Sequence, residues 1–439
     1  MGEYYIVIIN DDYNYLIMQY NKPRGTEDWL PEASDNYRAL TDLLFLIARI
    51  NGYREIKTPI FESSELFIRS VGETSDIVKK EFYSFKDKGD REMVLRPEGT
   101  AGVIRAIVEE KLINKLPSPI KLAYSGPMFR YERPQSGRLR QFNQFGLECI
   151  NTNSVMDDVD TLMLASSILV TLGIKNFEIT INNIGNFAAR NKWIDELRAY
   201  FKKYKDQLSE LSQSRIESNP LRILDDKVDG KKDFVKNAPK VDKFLSEKEK
   251  EDFTLICDTL KALNLKYKID QTLVRGLDYY TNFIFEINST DKRLEGQPTL
   301  IGGGRYANLV KELGGQECSC IGFALGIERL LLVLEYENIK ITKSSQIDVV
   351  VACFDDKISQ QAAIISLAIL RSSGISAVCK FDATKLIKSF NYAESLNARF
   401  VLILGVKELK EQKVVIKNQK TMKQETIALD KIVEYVKAN

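Results

Sequence analysis

The most informative absence in this chain of 439 residues is histidine, of which there is none. An imidazole is the general base of Ser-His-Asp and Cys-His catalysis and a frequent ligand of zinc, so all three kinds of site are excluded. Cysteine is scarce, and only Cys318 and Cys320 are close together. That pair lacks the further ligands of a zinc site, so we expect reduced thiols and no metal held by cysteine or histidine. Any chemistry must then depend on positioning and fixed charge.

The chain also lacks a large excess of charge of one sign, because it has 63 Lys and Arg residues and 61 Asp and Glu residues. A polyanionic partner would therefore have to be bound by local basic patches. Residues 4–9 are apolar, but Asp11 and Asp12 close this run early and no basic region precedes it. Such a segment predicts neither a signal peptide nor a membrane helix. We expect an N-terminal arm over residues 1–20, a cytoplasmic protein and no membrane partner.

The stretch that organises the chain is residues 129–148, FRYERPQSGRLRQFNQFGLE. Pro134 and Gly137 separate two extended runs, which predicts two antiparallel strands joined by a long basic loop. Strand alternation gives one apolar face, made of Phe129, Tyr131, Phe145 and Leu147. It gives one polar face, made of Arg130, Glu132, Gln144 and Glu148, with Arg138 and Arg140 in or near the loop.

The polar face of this hairpin carries cations, carboxylates and an amide together. Buried polar groups need partners, at a cost of about 1–3 kcal/mol each where they lack one, so a purely structural sheet rarely has such a face. The pattern therefore predicts a binding surface for an anion and a polar ligand. The alternative is a solvated hairpin with surface ion pairs.

Residues 92–110, EMVLRPEGTAGVIRAIVEE, predict a strand-to-helix corner. The strand ends at Arg96, Pro97 interrupts the ladder, and a helix starts near Thr100. The Glu98 carboxylate at this corner would either cap the helix N-terminus or hold a substrate ammonium group. The residues taken alone favour the cap.

Residues 273–287, LVRGLDYYTNFIFEI, predict a turn followed by a strand. We expect Gly276 to allow a tight backbone after Arg275, and the strand to carry Tyr279 and Tyr280 to opposite faces. An aromatic-rich core strand would account for the phenylalanines of this stretch. It would not account for an Arg-Gly pair immediately before the strand.

Two later segments complete this unit. Three consecutive glycines in residues 301–313, IGGGRYANLVKEL, predict a close approach of backbone segments. Residues 321–335, IGFALGIERLLLVLE, predict a short strand that enters a helix at Gly326. Arg329 then lies in the first turn, where a helix N-terminus and a forked cation suit phosphate.

The remaining segments define the predicted organisation of the chain. A helix after residues 22–30, capped by Ser34 or Asp35, ends at Gly52 and is followed by a strand that stops at Pro59. Residues 184–265 are rich in Lys, Glu and Asp with helical spacing, which predicts an inserted helical domain. Beyond a polar linker at 342–346, a βαβαβ order predicts a small, mostly parallel sheet.

The C-terminal segment leaves one alternative open, a nucleotide-binding Rossmann unit. No G-x-G-x-x-G follows its first strand, which argues against that alternative. The segment resembles the anticodon-binding domain of class IIa aminoacyl-tRNA synthetases, and this resemblance implies that its cationic helix residues Lys380, Lys385 and Lys388 contact RNA phosphates.

Together these motifs resemble those of the class II aminoacyl-tRNA synthetases, and specifically the bacterial histidyl-tRNA synthetase family. The 129–148 hairpin resembles motif 2, the helix, strand and proline of 31–59 resemble motif 1, and GIER at 326–329 resembles motif 3. LRPEGT at 95–100, NPLRILDDK at 219–227 and, most specifically, LVRGLDYY at 273–280 resemble histidyl signatures.

The resemblance implies an α+β catalytic domain built on an antiparallel sheet, with an inserted helical domain and a C-terminal α/β anticodon-binding domain. The implied boundaries are an arm at 1–20, catalytic parts at 21–183 and 266–341, the insertion at 184–265 and the anticodon-binding domain at 346–439. The family's motif 1 builds a dimer interface, so the resemblance also implies a homodimer.

The activity implied by the resemblance is that of a histidine–tRNA ligase. ATP, expected with Mg²⁺, and L-histidine form histidyl-adenylate and pyrophosphate, and the histidyl group is then transferred to the 3′-terminal adenosine of the cognate tRNA. The attacking carboxylate is already ionised, so a protein without histidine needs no general base for the first step.

Three sets of site residues follow from the resemblance, and Arg130 belongs to two of them. The catalytic residues are Arg130 and Arg275. The ATP-binding residues are Arg130, Glu132, Arg138 and Arg329. The histidine-binding residues are Glu98, Thr100, Gln144, Glu148, Tyr279 and Tyr280, with Glu148 and Tyr280 on the two imidazole nitrogens.

The chain departs from the family pattern at three positions. Asn143 stands where the family usually has histidine, Asn282 stands near a usual glycine, and Ala307 stands where an acidic residue is usual. Asn143 has the parity of the face away from the ligand, so we expect it to have only a modest effect on tRNA or interface contacts. The total lack of histidine is consistent with an enzyme whose synthesis does not depend on its own product, with drift in composition, or with engineering.

Two alternatives from other functional classes remain. One is a catalytically silent relative, such as the regulatory subunit of ATP phosphoribosyltransferase, which typically lacks the anticodon-binding domain and has lost motif arginines. The other is an RNA-binding module without catalysis, which would bind tRNA but show no pyrophosphate exchange.

Overall fold

The computed structural model describes residues 20–71, 78, 81–135, 137–341, 347–354, 356–381 and 385–439. The chain divides into two compact units, Met1–Ile341 and Thr342–Asn439. Apart from Tyr20, the predicted arm at 1–20 lies outside the described residues, as does the predicted linker at 342–346. Within the described ranges, no helix is both long and apolar enough to cross a membrane.

The first unit is built on a large, mainly antiparallel sheet. The strands of this unit, in chain order, are β1 (Arg54–Glu55), β2 (Phe61–Ser63), β3 (Ser84–Lys86), β4 (Glu92–Leu95), β5 (Ile120–Phe129), β6 (Gln141–Ile150), β7 (Phe177–Asn183), β8 (Lys268–Ile269), β9 (Tyr280–Ser289), β10 (Thr299–Tyr306) and β11 (Cys320–Gly326). Eight of them form one sheet in the order β1-β5-β6-β11-β10-β9-β7-β8, and β2-β4-β3 form a second. Only the short edge strands β1 and β8 run parallel to their neighbours.

Helices of this unit cover the sheet. They are α1 (Pro31–Ile50), α2 (Ser64–Val71), α3 (Thr100–Glu109), α4 (Met156–Thr171), α5 (Phe187–Lys202), α6 (Glu210–Ser218), α7 (Leu221–Leu224), α8 (Asp233–Lys236), α9 (Glu247–Ala262), α10 (Leu309–Glu312) and α11 (Ile327–Tyr336). The core on one face of the sheet packs apolar residues of α1, α4 and α11 against β6, β9 and β11. Helices α5 to α9 occupy most of the segment predicted to be inserted, and they belong to the first compact unit.

The first helix begins earlier than its predicted caps. Leu30 occupies the N-cap position and Pro31 the first turn, so neither Ser34 nor Asp35 is the cap. Proline is favoured there because its ring presets a helical φ angle and its missing N–H would have had no intrahelical partner. The predicted end is correct, since the helix stops just before Gly52, which has a φ of 83°.

The strand predicted to stop at Pro59 is instead two short strands in different sheets. Strand β1 pairs in parallel with β5, whereas β2 pairs with β4 after the proline. Between them the Arg96 guanidinium holds the extended chain, because its Nη1 donates to the Thr58 carbonyl O at 3.0 Å. A hydrogen bond from the distant Arg96 side chain therefore takes the place of the backbone hydrogen bonds of the predicted continuous strand.

The central hairpin forms, with β5 and β6 antiparallel from Phe129↔Gln141 to Ile120↔Ile150, but β5 ends at Phe129, where the predicted first strand begins. On β6, alternation sends Phe145 and Leu147 into the core and Gln144 and Glu148 toward the opposite face. The assignment of Tyr131 to the apolar face is wrong, since it is 53% exposed. Strand β5 ends two residues earlier, so alternation no longer applies there.

The second unit contains a five-stranded sheet. Its elements are β12 (Val349–Cys353), α12 (Lys357–Ser372), β13 (Ala377–Cys379), α13 (Leu386–Ser395), β14 (Phe400–Leu404), α14 (Val406–Lys410), β15 (Lys413–Asn418), β16 (Gln424–Ala428) and α15 (Ile432–Ala438). The order is β13-β12-β14-β15-β16, parallel among the first three strands and antiparallel beyond them, so the sheet is mixed rather than mostly parallel. Of the three predicted RNA-contacting lysines, only Lys388 lies in a helix.

Candidate active site

The sequence-predicted site residues all line one cavity of about 430 Å³ in the first unit. They are Glu98, Thr100, Arg130, Glu132, Arg138, Gln144, Glu148, Arg275, Tyr279, Tyr280 and Arg329. The predicted close approach at the glycine run is visible here, because a Cβ on Gly302 would collide with the Arg275 guanidinium. Gly322 on the neighbouring strand likewise leaves room for the Glu148 carboxylate.

Glu148 is a buried carboxylate that lines this cavity. Its Oε1 accepts a hydrogen bond from the Thr100 hydroxyl at 2.7 Å, and its Oε2 accepts one from the Tyr306 hydroxyl at 2.6 Å. Burial raises the pKa of Glu148 to about 8, although these hydrogen bonds favour the ionised form. A carboxylate has further lone pairs, so it can still accept from a ligand N–H.

Tyr306 is a site residue that the sequence predictions missed. It is buried, lines the cavity and stacks edge-on against Tyr279, with ring centroids 5.4 Å apart. The signal for it was available, because Tyr306 lies on the same strand as Gly302 and four residues later, which is the same parity. Alternation along β10 therefore places its side chain on the face that Gly302 opens.

Tyr279 and Tyr280 were predicted to point to opposite faces, and that prediction is wrong. Both are buried, both line the cavity, and their ring centroids are 4.7 Å apart. The physical reason is that β9 begins at Tyr280, so Tyr279 still belongs to the preceding turn. Arg190 of α5 holds that turn, since its Nη1 donates to the carbonyl oxygens of Asp278 at 2.6 Å and Tyr280 at 3.0 Å.

Gly276 does not have the predicted tight backbone. A Cβ at this position would meet only the Arg222 guanidinium, at an ordinary 3.8 Å. Arg222 belongs to α7, so the inserted segment packs directly beside Arg275 and Gly276.

Glu98 has the first of its two alternative roles, the helix cap, whereas the second, binding a substrate ammonium group, stays a prediction. Its carboxylate accepts the backbone N–H groups of Thr100 at 2.7 Å and Ala101 at 2.9 Å, so it caps the first turn of α3. The same side chain lines the cavity. Burial raises its pKa, while these hydrogen bonds and the nearby Arg130 charge oppose the rise. Gln144 lies close by with a buried Oε1 that has no hydrogen-bond partner among the described residues.

Four guanidinium groups give another part of the cavity its positive charge. Arg130 donates from Nε to the Pro97 carbonyl O at 2.8 Å, Arg138 pairs with Glu132, and Arg275 pairs with Glu286. Burial lowers the pKa of Arg130, Arg138 and Arg329, and for Arg329 the charges of the other two add to the effect. Such a cluster suits an anion with several charges, because each cation is stabilised when the anion binds.

Arg329 occupies the first turn of α11, as predicted. Its Nη1 donates to the Thr299 carbonyl O at 2.6 Å, and its Nη2 donates to Gln297 Oε1 at 2.8 Å and the Gly137 carbonyl O at 3.2 Å. It thereby connects the hairpin loop with the loop that precedes β10.

Comparison with known proteins identifies the family. The model of the histidyl-tRNA synthetase family matches residues 25–330, and that of the anticodon-binding domain matches residues 348–439. Among curated relatives, the histidine–tRNA ligase of Malacoplasma penetrans is 47% identical over 420 residues, which are 96% of this chain and 98% of the relative. That of Ureaplasma urealyticum is 45% identical, over 94% of this chain and 98% of the relative.

The crystal structure of apo Staphylococcus aureus histidyl-tRNA synthetase superposes with a TM-score of 0.82 at 38% identity, covering 95% of this chain and 100% of that one. The chain belongs to the histidyl-tRNA synthetase family. This result confirms the predicted family and fold class.

Two departures from the histidyl-tRNA synthetase pattern have a structural account. Asn143 lies on the face of β6 away from the cavity, as predicted, and its backbone N and Nδ2 donate to the Glu328 carboxylate at 2.8 and 2.9 Å. It therefore ties β6 to the first turn of α11, next to Arg329. Asn282 has a φ of 52°, in the region that favours glycine and that asparagine tolerates best among other residues. Nothing in the structure explains Ala307.

Proposed function

We propose that the chain activates L-histidine with ATP and transfers the histidyl group to the 3′-terminal adenosine of its cognate tRNA, as its family does. The observation that carries this proposal is one cavity in which a carboxylate with tyrosines lies beside four guanidinium groups. The first part suits an imidazole and the second suits a polyphosphate.

Histidine selection depends on Glu148 and Tyr280, which would hydrogen-bond the two imidazole nitrogens, with Tyr279 alongside. An amino acid without ring nitrogens would leave the buried Glu148 without that partner, which is an effective means of rejection. Glu98, Thr100 and Gln144 would hold the ammonium and carboxylate groups of the substrate. The partnerless Oε1 of Gln144 supports this role, since a buried acceptor needs a donor.

The adenylation step is an in-line displacement at the α-phosphorus. The histidine carboxylate oxygen forms the new P–O bond, the α–β bridging P–O bond breaks, and pyrophosphate leaves with the electron pair. No proton is transferred, so positioning and charge stabilisation can supply the rate enhancement. Arg130 would hold the α-phosphate, and Arg275 would stabilise the charge that builds between carboxylate and phosphate.

The outer phosphates of ATP would be held by Arg138 and Arg329. Mg²⁺ would arrive with these phosphates and offset part of their negative charge. Glu132 and Glu328 line the same cavity, and a site of one or two carboxylates plus phosphate oxygens is what Mg²⁺ prefers. Within the described residues, no group of three or more Cys, Asp or Glu side chains is arranged to hold a resident metal ion.

The first unit would carry out catalysis, and the second would bind the anticodon. Residues 21–183 and 266–341 would form the catalytic domain, with 184–265 inserted in it, and 346–439 would bind the anticodon through Lys380, Lys385 and Lys388. A homodimer would form through the motif 1 region. Ile50 at the end of α1 is 75% exposed, and Phe61 after Pro59 is 54% exposed, which supports an apolar contact there. We place the enzyme in the cytoplasm.

The test is histidine-dependent exchange of pyrophosphate into ATP across a panel of amino acids, followed by charging of total tRNA. The proposal expects exchange with histidine alone and charging of one tRNA species. A regulatory relative would show no exchange, and an RNA-binding module would retain tRNA without exchange. Either result would contradict the proposal.

A further inference from the structure

Lys227 belongs to the inserted helical segment, yet its side chain lines the cavity together with Arg138 and Arg329. It lies three residues after the end of α7, in the turn that connects that helix to the rest of the segment. Its Nζ donates to the carbonyl O of Gly296 at 2.7 Å. For the part of the chain that the structure describes, this neutral oxygen is its only hydrogen-bond partner, and its ammonium forms no ion pair.

The backbone on which Lys227 stands is held by its neighbour Asp226. One carboxylate oxygen of Asp226 accepts the backbone N–H groups of Val228 and Asp229, both at 2.9 Å. The other oxygen accepts from Arg215 at 3.1 Å. These contacts of the Asp226 side chain therefore fix the turn, and the geometry of the turn directs Lys227 toward the cavity.

The partner loop of Lys227 is also the loop that holds Arg329. Gly296 accepts from Lys227, and the next residue, Gln297, accepts from Arg329. Thr299 accepts from Arg329 as well. Lys227 thus lies at the edge of the cavity where Arg329 stands, which is the part assigned above to the outer phosphates of ATP.

An exposed lysine is usually only a solvated charge, and Lys227 is exposed. Two observations distinguish it. Its side chain points into a cavity that four guanidinium groups already line, although like charges repel. A neutral carbonyl also leaves the ammonium with two further N–H donors and its full charge. A compact ammonium on a flexible stem suits a phosphate that arrives later.

We infer that Lys227 is a further phosphate-binding residue, which reaches from the inserted segment to the outer phosphates of ATP. Through it, the inserted segment takes part in binding ATP. The inference rests on the proposed function, because it requires ATP in this cavity.

The experiment compares Lys227→Met, which keeps an unbranched side chain one atom shorter and removes its charge, with Lys240→Met. Lys240 is a matched control from the same segment. Its Nζ also donates to a backbone carbonyl, that of Lys236, at 2.6 Å, but its side chain does not line the cavity. In pyrophosphate exchange at saturating histidine, Lys227→Met should raise the KM for ATP about tenfold, as loss of one charge-assisted hydrogen bond does. Lys227→Arg should recover most of this loss, and Lys240→Met should match the wild type.

Binding of pyrophosphate and AMP, measured by calorimetry on the full chain, separates phosphate contact from general support of the cavity. Lys227→Met should weaken pyrophosphate binding about tenfold and leave AMP binding within about twofold, because AMP lacks the outer phosphates. Equal weakening of both ligands, or unchanged pyrophosphate binding, would overturn the inference. A wild type that binds pyrophosphate but shows no histidine-dependent exchange would refute the proposed function, and the calorimetric comparison would still decide the role of Lys227.

Discussion

At the scale of single residues, the site is governed by what surrounds each buried charge. Glu148 and Glu98 are both buried carboxylates, but their partners differ. Glu98 accepts two backbone N–H groups, whereas Glu148 accepts only hydroxyl groups. Glu98 is therefore fixed as part of a helix terminus. Glu148 has no backbone N–H donor among the described residues, and burial raises its pKa to about 8.

The pKa of Glu148, about 8, predicts a pH dependence of histidine use. An imidazole N–H donates to the ionised carboxylate, so kcat/KM for histidine should rise with pH, by about fivefold to tenfold between pH 7 and 8.5. Tyr306→Phe removes a hydrogen bond that favours the ionised form, so it should move the midpoint to higher pH. The measurement is pyrophosphate exchange across this range, with Tyr267→Phe, outside the cavity, as control. A flat wild-type profile, or a midpoint moved to lower pH in Tyr306→Phe, would contradict this assignment.

Arg130 is expected to act on the chemical step. Its guanidinium is held by Pro97, so it is in place before the substrate binds. Arg130→Ala should lower kcat of pyrophosphate exchange by about 10²–10³-fold, as loss of one preorganised charge-stabilising donor does, with the KM for histidine nearly unchanged. Arg140→Ala is the control from the same hairpin. A change confined to KM would show that Arg130 only binds substrate.

At the scale of elements, helix α5 shapes the proposed histidine pocket through Arg190. Its two hydrogen bonds to the turn at 278–280 hold both tyrosines toward the cavity. Arg190→Gln should raise the KM for histidine about tenfold, because the turn loses a charged donor, and change the KM for ATP less. Arg198→Gln on the same helix, where the guanidinium pairs with Asp195 near the surface, is the control. Equal increases in both KM values would point to general loss of structure.

Elements whose local sequence pattern matches the structure could be predicted. Features that depend on contacts with residues distant in the sequence could not. The second strand of the hairpin, β6, follows from alternation, and α3 begins at Thr100 as predicted. The extended segment between β1 and β2 is held by Arg96, which lies 38 residues beyond Thr58 in the chain, and no local pattern encodes this contact. The shared direction of Tyr279 and Tyr280 depends on Arg190 and on where β9 begins, which alternation alone cannot locate. The site residues came mostly from the family resemblance, and Tyr306 was not among the residues carried over from it.

At the scale of the whole molecule, the apolar surface near motif 1 predicts self-association. Ile50 and Leu46 project from α1 with 75% and 42% exposure. Ile50→Asp would place a charge in the interface, so light scattering should report a particle of 50.1 kDa where the wild type gives twice that mass. Val170→Asp, at an exposed apolar position on α4, is the control. A wild type that is already monomeric would contradict the proposed dimer.

The measurement that tests the central claim most directly is histidine-dependent pyrophosphate exchange by Glu148→Ala. The four guanidinium groups remain in this variant, so calorimetric ATP binding should stay within about twofold of the wild type, while kcat/KM for histidine falls about a hundredfold or more, equal to roughly 2.7 kcal/mol. Unchanged histidine-dependent exchange in Glu148→Ala would show that this carboxylate does not select the imidazole.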